Sequence, residues 1–89
     1  MKYTYFGEHG REVDEKSGKA FAKIKNNEEL NKVSYYLSFV NGRLYNPYAT
    51  TGGTNIFSWK SVNEQQFLSY KSYLETKKES VFKRLERTI

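Results

Sequence analysis

An α+β fold, with a small antiparallel sheet of about four or five strands followed by one or two helices packed on one face, is what the chain predicts from three observations. Two stretches, Lys19 to Lys25 and Lys32 to Val40, alternate apolar and polar residues with the period of two that a half-buried strand requires. Asn41-Gly42 stands directly after the second of them, and both residues tolerate the positive φ of a type I′ hairpin turn. From Ser61 onward the period changes. Phe67, Tyr70, Leu74, Val81 and Leu85 recur at helical spacing. Strands first and helices last, in 89 residues, make one domain, 1–89, with the two kinds of element segregated along the chain.

The elements follow in order. Lys2 to Phe6 is rich in β-formers and reads as a first strand. Gly7 to Gly18 is polar and carries three glycines, so it reads as a loop or irregular connection. In the second strand Ala20, Ala22 and Ile24 share one face, and Lys19, Phe21, Lys23 and Lys25 the other. Asn26 to Asn31 is a polar turn. In the third strand Val33, Tyr35, Leu37 and Phe39 are expected inside, and Lys32, Ser34, Tyr36 and Ser38 outside. Arg43 to Tyr45 pairs back after the turn, and Asn46-Pro47 ends it. Ala49 to Asn55 reads as a flexible loop, and Ile56 to Lys60 as a last strand.

Ser61-Val62-Asn63-Glu64 fits a capping box, and Thr76-Lys77-Lys78-Glu79 fits a second. Two helices, about 62–75 and 78–87, with a bend near Thr76, are expected, the alternative being one long helix. Aromatic residues must supply most of the core of so short a chain. The candidates are Tyr3, Tyr5, Phe6, Phe21, Tyr35, Tyr36, Phe39, Phe57, Trp59, Phe67, Tyr70 and Phe82.

Composition narrows function. Absence of cysteine excludes disulfides, thiolate metal sites and a cysteine nucleophile. His9 is the only histidine, and it lies in a Gly-flanked charged loop whose ordinary reading is a solvated residue. Glu12, Asp14 and Glu15 lack a ligand spacing, and Gly52-Gly53 lacks the lysine of a phosphate-binding loop. Catalysis is not expected, and no cofactor is implied. The start shows no signal-peptide run and no segment reaches the roughly 20 apolar residues of a membrane span, so a soluble, cytoplasmic protein is expected.

The charge points to a polyanion. Fifteen Lys and Arg oppose ten Asp and Glu, and the net +5 falls entirely within residues 32–89. Positive charge attracts nucleic acid at long range, and aromatic faces stack bases at short range. Two surfaces could do this. The outer sheet face would present Lys19, Phe21, Lys23, Lys25, Lys32 and Tyr36, its rings stacking bases while its lysines hold phosphates. Alternatively Phe21 and Tyr36 pair across strands and stabilise the sheet by about 0.2–1 kcal/mol. The C-terminal helix would present Lys77, Lys78, Lys83, Arg84 and Arg87, which suit phosphates rather than bases. The alternative is a solvated basic face that favours the negative end of the helix dipole. Lys19 to Ile24 echoes part of an RRM signature but lacks its glycine and second aromatic, and no helix separates the strands, so that family is set aside.

Phe67-x-x-Tyr70-x-x-Tyr73-Leu74-x-Thr76 with a following helix ending Glu86-Arg87, the run Asn41 to Pro47, and Gly18-Lys19-Ala20-Phe21-Ala22-Lys23 together resemble small accessory proteins of T4-like tailed bacteriophages. That resemblance implies an early protein of the host cytoplasm that binds a host target. Combined with the charge and the rings, it makes the expected function that of an RNA-binding or single-stranded nucleic-acid-binding inhibitor of a host defence factor, such as a toxin–antitoxin ribonuclease. The alternatives it leaves are a protein-binding inhibitor of a host nuclease, CRISPR effector or RNA polymerase, and a small virion or assembly component.

Overall fold

The computed structural model describes residues 2–14, 20–49 and 56–89. Lys19, residues 15–18 of the expected Gly7 to Gly18 loop and residues 50–55 of the expected Ala49 to Asn55 loop lie outside them. Among the described residues six antiparallel strands run β1 (Lys2–Phe6), β2 (Glu12–Val13), β3 (Ala22–Asn27), β4 (Lys32–Val40), β5 (Arg43–Leu44) and β6 (Phe57–Val62). Two helices follow, α1 (Glu64–Thr76) and α2 (Glu79–Thr88), both packed on one face of the sheet. The expected α+β architecture is present, with two short strands, β2 and β5, added to or trimmed from the expected set.

The sheet is ordered β2-β1-β3-β4, and β5 and β6 both pair with β4. Ser38 tells which edge each takes. Its N–H donates to the Phe21 carbonyl, and its carbonyl accepts from the Tyr45 N–H, both at 3.0 Å. In an antiparallel strand the N–H and C=O of one residue point to the same side. Hence β5 continues the edge of β4 that β3 occupies, and β6 lies on the opposite edge. Asn41 and Gly42 adopt φ of 50° and 80°, which makes the turn from β4 to β5 the type I′ its sequence demands. Asn41 also fixes β6: its N–H donates to the Ile56 carbonyl (3.0 Å), and its Oδ1 accepts from the Ile56 N–H (3.1 Å).

The core lies between the sheet and the helices. Ala22, Leu37, Phe39 and Leu44 from the sheet meet Phe67, Tyr70, Tyr73 and Leu74 of α1 and Phe82 and Leu85 of α2. Phe67 packs between Phe6 (5.7 Å between ring centres) and Tyr35 (5.2 Å). The expected helical stripe is buried except for Val81, which is half-buried, and Tyr73 joins it. Two expectations for β4 fail. Val33 is 45% exposed, because it stands at the hairpin end of the strand, opposite Asn26 and beyond the rings that cover Tyr35. Ser38 is only 5% exposed, because it pairs with Trp59 and lies under rings on the other face.

Helix starts also differ from expectation. The N-cap of α1 is Asn63, not Ser61. Its Oδ1 accepts from the Gln66 N–H (2.8 Å), and Gln66 Oε1 accepts from the Asn63 N–H (3.1 Å). Ser61 is instead a member of β6, paired with Tyr36. The bend falls where expected, but without a second capping box. Lys77 closes α1 in the left-handed region (φ 57°), Lys78 caps α2 without a side-chain bond, and Thr76 Oγ1 donates back to the Ser72 carbonyl.

The segment after β1 is more ordered than a plain loop. Glu8–Gly10 forms one turn of 3-10 helix seated against α1. Gly10 has φ +73°, and a Cβ there would stand 2.8 Å from Glu75 Cγ, so both conformation and space favour glycine.

Candidate nucleic-acid interface

Strand pairing assigns every side chain to a face, since paired residues share one. Tyr3 pairs with Lys25, Tyr5 with Lys23, Lys23 with Tyr36, Lys25 with Ser34, Tyr36 with Ser61, and Ser38 with Trp59. All of these point away from the helices. With Phe57 and Tyr45 they form a sheet face that no helix covers among the described residues, and it is built largely of rings and lysines.

Lys23 is its centre. The Nζ lies 4.6 Å from the Trp59 ring centre, 5.1 Å from that of Tyr3 and 5.2 Å from that of Tyr36. Each contact is a cation–π attraction of about 0.5–1 kcal/mol at an exposed site. The rings continue outward from there. Tyr3 stacks on Tyr5 (6.1 Å), and Tyr5 meets Trp59 (6.5 Å). On the other side of Trp59, Phe57 meets Tyr45 (5.1 Å), which meets Phe21 (5.4 Å). Tyr3, Trp59 and Phe57 are 40%, 39% and 54% exposed.

Around Trp59 the face becomes concave. A cleft of ≈560 Å³ has a lining that includes Glu8, Phe21, Ser38, Tyr45, Pro47, Tyr48, Phe57 and Trp59 among the described residues. Its far wall, residues 45–48, is held by tyrosine hydroxyls. Tyr70 Oη donates to the Tyr45 carbonyl (2.8 Å), Tyr73 Oη to Asn46 Oδ1 (2.7 Å), and Tyr48 Oη to the Leu74 carbonyl (2.7 Å). Tyr48 Oη also accepts from the His9 N–H (3.1 Å), tying the 3-10 turn to the same wall. Burial pushes the Tyr70 phenol well above its usual range, with the neighbouring Tyr45, Tyr73 and Tyr48 adding to the effect. Burial also raises Tyr73, reinforced by the negative charge of Glu79 and opposed by the hydrogen bond to Asn46.

Of the residues the sequence singled out, Lys23, Lys25 and Tyr36 lie together on the open face. Lys32 is exposed at its hairpin end, and Phe21 lines the cleft. Lys19 lies outside the described residues. The helical set does not join them as a group. Lys83, Arg84 and Arg87 are exposed on α2, on the helical side of the sheet, and Lys78 is exposed at its start. Lys77 is the exception: its Nζ lies 4.9 Å from the ring centre of Tyr48, on the cleft wall.

Sequence reasoning missed the rings that matter most. Tyr3, Phe57 and Trp59 stand among its core candidates, yet they are on the open face. Tyr5 pairs with Val13 and Lys23 on that same face. The signal was available in the odd-numbered alternation of Tyr3-Thr4-Tyr5 and Phe57-Ser58-Trp59, but only register decides which face odd residues occupy.

Among the described residues no group of three or more His, Asp or Glu side chains is placed to hold a metal ion. Nor is any helix among the described residues long and apolar enough to cross a membrane. Comparison of the chain with known protein families, curated proteins and solved structures gives no match.

Proposed function

We propose that the chain binds single-stranded nucleic acid, RNA in the first instance, across the open face of its sheet. The observation that carries this reading is the pair of ring groups on one sheet face, Tyr3–Tyr5–Trp59 with Lys23 over Tyr3 and Trp59, and Phe57–Tyr45–Phe21, which meet at the cleft that Trp59, Phe57, Tyr45 and Phe21 line. Base–aromatic stacking contributes about 1–3 kcal/mol per base and tolerates any base. Lys25 and Lys32 flank the rings and suit phosphates. A folded duplex presents no free base faces, so this surface favours single strands. Under the resemblance to phage accessory proteins, the bound strand would be the RNA of a host defence system that the protein blocks.

A labelled mixed-sequence RNA, titrated with the protein at low salt and followed by fluorescence anisotropy, tests the reading. Micromolar or tighter binding is expected, weakened by Tyr36→Ala and Phe21→Ala. No binding at micromolar protein overturns it.

A second reading, inhibition of a host protein without nucleic acid, is favoured by one observation. Strand β6 pairs only with β4 among the described residues, and it leaves an edge bordered by the exposed Ile56, Phe57 and Trp59. An edge of that kind accepts an added strand from a partner. Capture of RNA-free complexes that Ser61→Pro abolishes, a change that removes an N–H on the free side of β6 and leaves its pairing with β4, would favour this reading over the first.

A further inference from the structure

Most of the open face can support a base without enclosing it. The cleft beside Trp59 can enclose one. Its ≈560 Å³ falls within the range of about 300–1,000 Å³ typical of small-ligand sites. Three of its rings brace one another, Phe21 against Tyr45 at 5.4 Å and Tyr45 against Phe57 at 5.1 Å, so that wall is preorganised. Residues 45–48 are in turn fixed to α1 by the hydroxyls of Tyr70 and Tyr73 and of Tyr48 itself. Ser38 lines the cleft, 5% exposed, and so does Glu8, whose Oε1 stands 3.6 Å from His9 Nε2.

We propose that this cleft is a base-selective subsite that takes one unstacked nucleobase of the bound strand and prefers guanine through Glu8. The inference rests on the nucleic-acid reading above and adds sequence preference to it. Ring walls accept the flat face of any base, so they do not discriminate. A carboxylate does, because it only accepts hydrogen bonds. Guanine presents two adjacent donors, N1–H and the N2 amino group, that match two carboxylate oxygens. Adenine and cytosine present one amino group beside a ring nitrogen acceptor, which repels the second oxygen. Uracil presents one N–H between two carbonyl oxygens. Lys77 does not line the cleft, but its Nζ stands 4.9 Å from the ring centre of Tyr48, which does; from there it supplies charge for a neighbouring phosphate and offsets the repulsion between Glu8 and the backbone.

Trp59 is the only tryptophan and lines the cleft, so its fluorescence reports occupancy. The full chain would be titrated with a uridine heptamer and with the same heptamer carrying guanosine, adenosine or cytidine at its centre. Guanosine is expected to tighten binding about tenfold over uridine, the effect of a good bidentate contact, with deeper Trp59 quenching. Because Glu8 is exposed, Glu8→Ala leaves the fold intact. That variant is expected to bring the guanosine-to-uridine ratio close to one. Phe57→Ala should weaken all four heptamers. Equal affinity for all four in the unsubstituted protein, or a preference that survives Glu8→Ala, overturns the subsite and leaves the broader reading standing. Failure to bind any heptamer overturns both.

Discussion

Asn41 illustrates how much one residue can settle. Its left-handed backbone makes the hairpin turn, and its side chain and N–H clamp Ile56, where β6 begins. Asn41→Ala therefore strains a positive φ and leaves the Ile56 N–H without its side-chain acceptor. A cost of about 1–2 kcal/mol is expected, read as a lower melting temperature, with Trp59 fluorescence altered because β6 carries that ring. Leu74 is fully buried between sheet and helices, so Leu74→Ala should cost about 2–5 kcal/mol. An unchanged urea midpoint would contradict its place in the core. The turn was legible because everything an Asn-Gly pair needs is local. Ser38 was not, because its burial comes from Trp59 and Tyr45, which reach it only through strand pairing. Val33 fails for the complementary reason: alternation assigns a face but not how far along that face the helices extend.

Elements compete for residues, and that competition explains the shifted helix start. Ser61-x-x-Glu64 and Asn63-x-x-Gln66 both have the form of a capping box. Pairing of Ser61 with Tyr36 and Val62 with Tyr35 extends β6 to Val62, and only the second box remains free to form. Helix α1 then does two jobs. Its apolar residues fill the core, and its tyrosine hydroxyls hold the cleft wall at residues 45–48. Both Tyr70 and Tyr73 have phenols raised above the usual value near 10. The unfolded chain therefore loses these protons at lower pH than the folded one. Above about pH 10 the folded state binds more protons, so stability falls as pH rises, and it is complete below that pH. Thermal unfolding should show a steep loss of stability on the alkaline side. Tyr73→Phe should shallow that loss and release Asn46 from its hydrogen bond. A stability profile flat from pH 9 to 11 would contradict the buried hydroxyl network.

For the whole molecule, the sheet separates two basic regions. Lys23, Lys25 and Lys32 accompany the rings on one side, and Lys83, Arg84 and Arg87 stand on α2 on the other. The net charge of +5 acts on a polyanion from any direction, so it aids encounter without specifying a site. Contacts are distinguished by salt. Each phosphate held by a lysine releases counterions, and for single strands log K falls with log salt by about 0.7 per contact. If the strand lies on the ring face, replacing Lys25 and Lys32 together by Ala should reduce that slope by up to about 1.4. Replacing Lys83, Arg84 and Arg87 should leave the slope nearly unchanged, with only a slower association. Tyr36→Ala should do the reverse of the lysine pair: it weakens binding by about 1–3 kcal/mol if that ring stacks a base, while the slope stays intact. These variants are read in one salt titration series. A slope that drops with the α2 residues and not with Lys25 and Lys32 would move the binding surface to the helices and leave the ring face for a protein partner.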